Sequence, residues 1–122
     1  MLPLKILVAD DHEGFRRVVH EFLDGLSNIS VVGEASDGKE AVEQVERLRP
    51  DVVLMDISMP RQNGLEATRI IKQRWPTTKV VIATLYDNAA YRSQAQEAHA
   101  DDFILKSALK QRLEEMFGNG GR

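Results

Sequence analysis

Two hydrophobic periods alternate along the chain. Ile6-Leu7-Val8-Ala9 is an unbroken apolar run that begins after Lys5 and stops at Asp10, as expected of a strand covered on both faces. Phe15, Val18, Val19, Phe22, Leu23 and Leu26 follow at helical spacing and predict an amphipathic helix with these residues inward. Residues 29–35 read as a half-polar strand, suited to a sheet edge. Asp37 and Glu40 form a capping-box pattern that opens a second helix with Ala41, Val45 and Leu48 on its apolar face, and Pro50 stops it. Residues 51–55 are apolar on both faces and belong in the middle of a parallel sheet.

The alternation then repeats. Asn63 caps a third helix with Leu65, Thr68, Ile71 and Trp75 on one face, ended by Pro76. Residues 79–83 form a fourth strand ending in Thr84. Residues 88–99 form a weaker helix with only Tyr91, Ala95 and Ala98 on its face. Residues 102–105 form a fifth strand ending in Lys106, and Ser107 is expected to cap a last helix whose inner face is Leu109, Leu113, Met116 and Phe117. Five strand-helix units joined by short loops predict an α/β fold, a doubly wound parallel five-stranded sheet with helices on both faces.

Composition narrows the picture. A chain of 122 residues with 43% apolar and 29% charged residues is expected to be one globular domain. A net charge of −3 gives no basic surface for gripping nucleic acid. The absence of cysteine excludes disulfides and thiolate metal sites and suits a cytoplasmic protein. The N-terminus lacks a signal-peptide pattern, and no apolar run reaches the roughly 20 residues of a membrane helix. Residues 1–117 are expected to form the domain, and 118–122 a flexible tail or the start of a linker.

The candidate chemistry lies at the strand ends. Asp10 and Asp11 follow the first strand, Asp56 the third, Thr84 the fourth and Lys106 the fifth. Each has an ordinary explanation alone: an Asp pair is commonly a helix cap, and Thr is a common strand residue. Parallel sheets, however, bind ligands at the carboxyl ends of their strands, and all of these residues fall at that edge. Carboxylates about 4 Å apart repel by roughly 4 kcal/mol at an effective dielectric near 20. Three together call for compensation by a hard cation, with Mg²⁺ the leading choice. Lys106 and Thr84 suit the oxygens of a phosphoryl group, and a carboxylate can itself be phosphorylated.

Asp10-Asp11, Asp56 with Met59-Pro60 and Gly64, Thr84, and Phe103-Ile104-Leu105-Lys106 resemble the receiver domain of two-component response regulators. Residues 31–41 and 56–67 resemble the NarL/LuxR-type subgroup. The resemblance implies a flavodoxin-like fold with strand order 2-1-3-4-5. It further implies Asp56 as the acceptor of a phosphoryl group from a sensor histidine kinase. Asp10, Asp11, Asp56 and the backbone carbonyl of Ser58 would be the Mg²⁺ ligands, Asp10 through water, and Thr84 and Lys106 would hold the phosphoryl oxygens. Phe103 would turn inward behind Thr84, reshaping the face of the fourth helix, fifth strand and fifth helix, with a homodimer on phosphorylation as an option. No enzymatic turnover is implied beyond Mg²⁺-dependent self-phosphorylation and autodephosphorylation. The output would be transcriptional, through a helix-turn-helix domain outside these residues, or else that of a stand-alone receiver working by protein contacts. A Mg²⁺-dependent aspartyl phosphatase fits less well, because such enzymes place two Asp one residue apart on one strand end. Some positions depart from the family pattern. Phe103 has no hydroxyl, His99 and Asp102 stand where glycine is frequent, Leu85 replaces a small residue, and Ser107 replaces a proline. His12, His20 and His99 read as surface residues.

Overall fold

The computed structural model describes residues 3–57, 59 and 63–118. Its strands are β1 (Leu4–Ala9), β2 (Ile29–Ala35), β3 (Val52–Met55), β4 (Lys79–Thr84) and β5 (Asp102–Leu105), and its helices are α1 (Glu13–Asp24), α2 (Gly38–Leu48), α3 (Gly64–Arg74), α4 (Ala89–Glu97) and α5 (Leu109–Leu113). All strand pairs are parallel, in the order β2-β1-β3-β4-β5. The half-polar β2 is an edge and the wholly apolar β3 is central, as their patterns predict.

Alternation along the strands builds two cores. Leu7, Ala9, Val53, Met55, Val80 and Ile82 face one side and pack with Ala41 and Val45 of α2, Ile71 of α3 and Ala95 of α4. Ile6, Val8, Val52, Leu54, Val81 and Ile104 face the other and pack with Val19 and Leu23 of α1 and Leu109 and Leu113 of α5. Residues one apart in a strand point to opposite faces, so a double layer of helices follows directly from apolar runs with no polar gaps.

Local signals set the helix starts. The Asp37 side chain accepts the Glu40 N–H at 2.7 Å, and the Asn63 side chain accepts the Glu66 N–H at 2.8 Å. The Glu40 carboxylate reaches back to the Ser36 N–H at 2.6 Å, one residue earlier than in a simple capping box. Asn88 caps α4 through the N–H groups of Ala90 and Tyr91. His99 adopts φ 67°, so the turn where glycine is frequent keeps its left-handed backbone with a side chain present.

The last helix departs from expectation. Ser107 is exposed and does not cap it. The chain leaves β5 in a 3₁₀ turn, Lys106–Ala108, passes into the short α5 and closes in a π turn over Glu114–Gly118. Side-chain capping needs an acceptor on the extended residue before the helix. Here that residue is Leu105, at φ −86° and ψ 138°, which has none. Val18 is a second difference: it is 48% exposed rather than inward, because the stripe facing the sheet runs through Phe15, Val19, Phe22 and Leu23. No helix among the described residues is long and apolar enough to cross a membrane.

α5 is so short that Leu109 and Leu113 must anchor it. Leu113→Ala, at a fully buried site, is expected to lower the unfolding free energy by about 2–5 kcal/mol. Val18→Ala should change it by no more than about 0.5 kcal/mol. Urea denaturation of the two variants beside the parent checks the pair.

Candidate functional site

The sheet register brings the strand-end residues together. The Asp10 N–H donates to the Ala35 carbonyl and the Asp56 N–H to the Ala9 carbonyl, both at 2.9 Å. These bonds carry β-type pairing one residue past each strand and fix the two carboxylates side by side. Asp10 is 1% exposed and Asp56 6%, which demands strong compensation. Lys106, from the 3₁₀ turn after β5, supplies it. Its ammonium is 2.6 Å from Asp10 Oδ2 and 3.7 Å from Asp56 Oδ1. It also lies 4.1 Å from the centroid of the Phe15 ring on α1, a cation–π contact.

Asp11 is more open. One ligand atom each from Asp10, Asp11, His12 and Asp56 can be chosen so that all lie within 4.8 Å of one another. Three carboxylates facing one ammonium leave an excess of negative charge, and an oxygen-rich cluster suits a hard divalent cation. Ser58 lies outside the described residues.

Asp56 shows the electrostatic consequence. Burial raises its pKa from the usual 3.8, and Asp10 raises it further. Lys106 opposes the rise, Asp11 adds to it, the Ile57 backbone N–H opposes it, and the result is about 6. At neutral pH the group is still mostly a carboxylate, and so able to act as a nucleophile.

Gly64 shows why the following loop needs a glycine. A Cβ built there would overlap the backbone carbonyl of Asp56, and the Gly64 N–H donates to the Ile57 carbonyl at 2.9 Å. The start of α3 is thus packed directly on the Asp56 backbone.

Thr84 is buried, and its Oγ1 accepts the Tyr86 N–H at 3.2 Å. It pairs in register with Leu105, next to Lys106. Phe103 lies further back on β5, half-buried against the α2–α3–α4 core. The Arg92 guanidinium of α4 covers its ring at 4.6 Å. Leu85 and Tyr86 stand out at 66% and 57% exposure. Asp102 forms an ion pair with Arg112 of α5 at 2.7 Å.

The sequence pattern did not single out two neighbours of the site. Arg16 donates to the Asp10 backbone carbonyl at 2.6 Å and to Glu34 Oε1 at 2.8 Å, clamping the β1–α1 turn onto β2. His12 is exposed, as expected, yet its Nδ1 lies 3.1 Å from Asp10 Oδ1 and 3.0 Å from Asp11 Oδ1. The signal for both was position: His12 adjoins the acidic pair, and Arg16 follows one helical turn later.

Comparison with known proteins agrees with this geometry. The family model of the response regulator receiver domain matches residues 6–117. The chain is 41% identical over 103 residues to the transcriptional regulatory protein DegU of Brevibacillus brevis, covering 84% of this chain and 44% of that protein. It is 50% identical over 93 residues to a protein-glutamate methylesterase/protein-glutamine glutaminase of Myxococcus xanthus, covering 76% of this chain and 26% of that protein. The chain therefore spans less than half the length of either relative. Among solved structures it resembles the signal receiver domain of the putative response regulator NarL from Mycobacterium tuberculosis, with a TM-score of 0.89 at 30% identity, covering 95% of this chain and 94% of that one.

Two outcomes follow for the site. The folded chain binds the Asp56 proton more tightly than the unfolded chain, so stability falls as pH rises from about 4 to 6, and the cost is complete above that window. A displacement from 3.8 to about 6 corresponds to roughly 3 kcal/mol as an upper bound. Without divalent cations, Asp56→Asn should therefore raise the unfolding free energy at pH 7.5 by about 1–3 kcal/mol, with the gain vanishing below pH 4. Denaturation at both pH values checks the sign. Gly64→Ala should cost about 1–3 kcal/mol through overpacking, measured in the same way.

Proposed function

The chain belongs to the response regulator receiver family, and on that premise we propose that Asp56 accepts a phosphoryl group from a phosphohistidine on a sensor histidine kinase. One observation carries the reading: Asp56, Asp10 and the Lys106 ammonium converge at one sheet edge, with Asp11 beside them. The fold alone would not require these charges to meet there.

The chemistry is an in-line displacement. An Asp56 carboxylate oxygen attacks phosphorus, the donor's P–N bond breaks, and the leaving imidazole nitrogen keeps the bonding pair. Lys106 neutralises a phosphoryl oxygen, and Thr84 Oγ1 exchanges its bond from the Tyr86 N–H for one to another oxygen. Asp10, Asp11 and Asp56 would hold Mg²⁺, which when bound supplies charge neutralisation for the transferred group. The Ser58 carbonyl is the remaining proposed ligand.

Read-out follows from the added charge of about −1.5 to −2. Movement of Thr84 toward the phosphoryl group opens space behind it, into which Phe103 turns. Because Arg92 covers the Phe103 ring, this motion disturbs α4, which buries only Ala95 within its span. The face of α4, β5 and α5 is the proposed output, with a second copy of the chain as one partner. The subgroup likeness favours a cytoplasmic transcriptional regulator whose DNA contacts lie outside these residues.

The test is intact mass after incubation with Mg²⁺ and a small acyl phosphate. The parent should gain one phosphoryl group, Asp56→Asn none, and Lys106→Ala much less than the parent. Equal gain in Asp56→Asn, or none in the parent, overturns the assignment.

A further inference from the structure

His12 has a place in the site that a surface histidine does not need. It occupies the N-cap position of α1, yet its side chain makes no capping bond. Its ring turns instead toward the acidic pair, with Nδ1 3.1 Å from Asp10 Oδ1 and 3.0 Å from Asp11 Oδ1. The Asp10 side chain fixes this arrangement from both ends. Oδ1 accepts the His12 backbone N–H at 2.9 Å, while Oδ2 takes the Lys106 ammonium at 2.6 Å. Oδ1 is thus shared between the His12 backbone N–H and Nδ1.

These spacings match a coordination polyhedron. Octahedral ligands at about 2.1 Å from an ion lie about 3.0 Å apart when adjacent. Nδ1 stands at that separation from one oxygen of each aspartate. With Asp56 included, the four ligand atoms lie within 4.8 Å of one another, a span that accommodates opposite as well as adjacent vertices.

We propose that His12 Nδ1 is a direct ligand of the divalent cation held by Asp10, Asp11 and Asp56, and that it biases the site toward first-row transition ions over magnesium. This rests on the reading of the acidic turn as the cation site. Magnesium and calcium prefer all-oxygen shells, whereas an imidazole nitrogen suits borderline ions such as Co²⁺ and Zn²⁺. A 66% exposed imidazole can swing the short distance from its carboxylate contacts to a bound ion without moving α1.

The test uses the untagged chain loaded with Mn²⁺. Electron spin-echo envelope modulation reports a directly bound ¹⁴N. The expected result is nitrogen coupling in the parent that disappears in His12→Ala while Mn²⁺ stays bound. Calorimetric titration should show Co²⁺ affinity falling by about tenfold or more in His12→Ala and His12→Gln, and Mg²⁺ affinity changing by less than about threefold. Bound Mn²⁺ without nitrogen coupling, or coupling that persists in His12→Ala, overturns the proposal and leaves the acidic site standing; it would make His12 a hydrogen-bond partner of the carboxylates only. Mn²⁺ affinity unchanged by Asp11→Asn and Asp56→Asn would instead overturn the cation site itself.

Discussion

The Lys106 ammonium is the contact on which the site and much of the architecture depend. It arrives from the turn after β5, at one edge of the sheet, and meets Asp10 at the end of β1, with Asp56 of β3 within 3.7 Å. Buried carboxylates without a partner are costly, and removing the one cation that serves such a set typically costs about 3–5 kcal/mol. The interaction therefore ties three strands at their carboxyl ends. The lysine stands at the first position of the 3₁₀ turn, immediately after the strand.

The compensation is incomplete, and function enters through that remainder. One ammonium faces three carboxylates, and the pKa of Asp56 stays raised to about 6. A structure optimised for stability alone would place Asn or an apolar residue at such a position. Keeping the excess charge costs stability and leaves an oxygen-rich cluster that a divalent cation would relieve. Asp56 thus works against stability and Lys106 for it. Arg16, holding the Asp10 backbone, and Gly64, packed on the Asp56 backbone, maintain the geometry of the cluster.

Most of this was legible in the sequence because apolar runs in a parallel sheet have a single sense. Once they align, the residues that end them share an edge, so Asp10, Asp56, Thr84 and Lys106 could be grouped before any distance was known. Edge and centre were also readable, from the half-polar β2 and the apolar β3. What escaped depends on angles that spacing does not fix. Val18 fits a helical stripe but falls outside the arc that touches the sheet. Ser107 looks like a cap, yet the extended residue that precedes the helical turn is Leu105, whose side chain has no acceptor. His12 read as a surface residue, which its exposure bears out, while the direction of its ring toward Asp10 and Asp11 is set by an Asx-type turn that no periodicity reveals.

The most direct test of the central claim is to locate the modification chemically. An aspartyl phosphate is an acyl phosphate, so borohydride reduction converts that one aspartate to homoserine. After incubation with Mg²⁺ and an acyl phosphate, reduction and peptide mass mapping should place homoserine at position 56 and nowhere else. Homoserine at Asp10 or Asp11 in place of Asp56, or at no aspartate of a chain that has demonstrably bound the cation, would contradict the account.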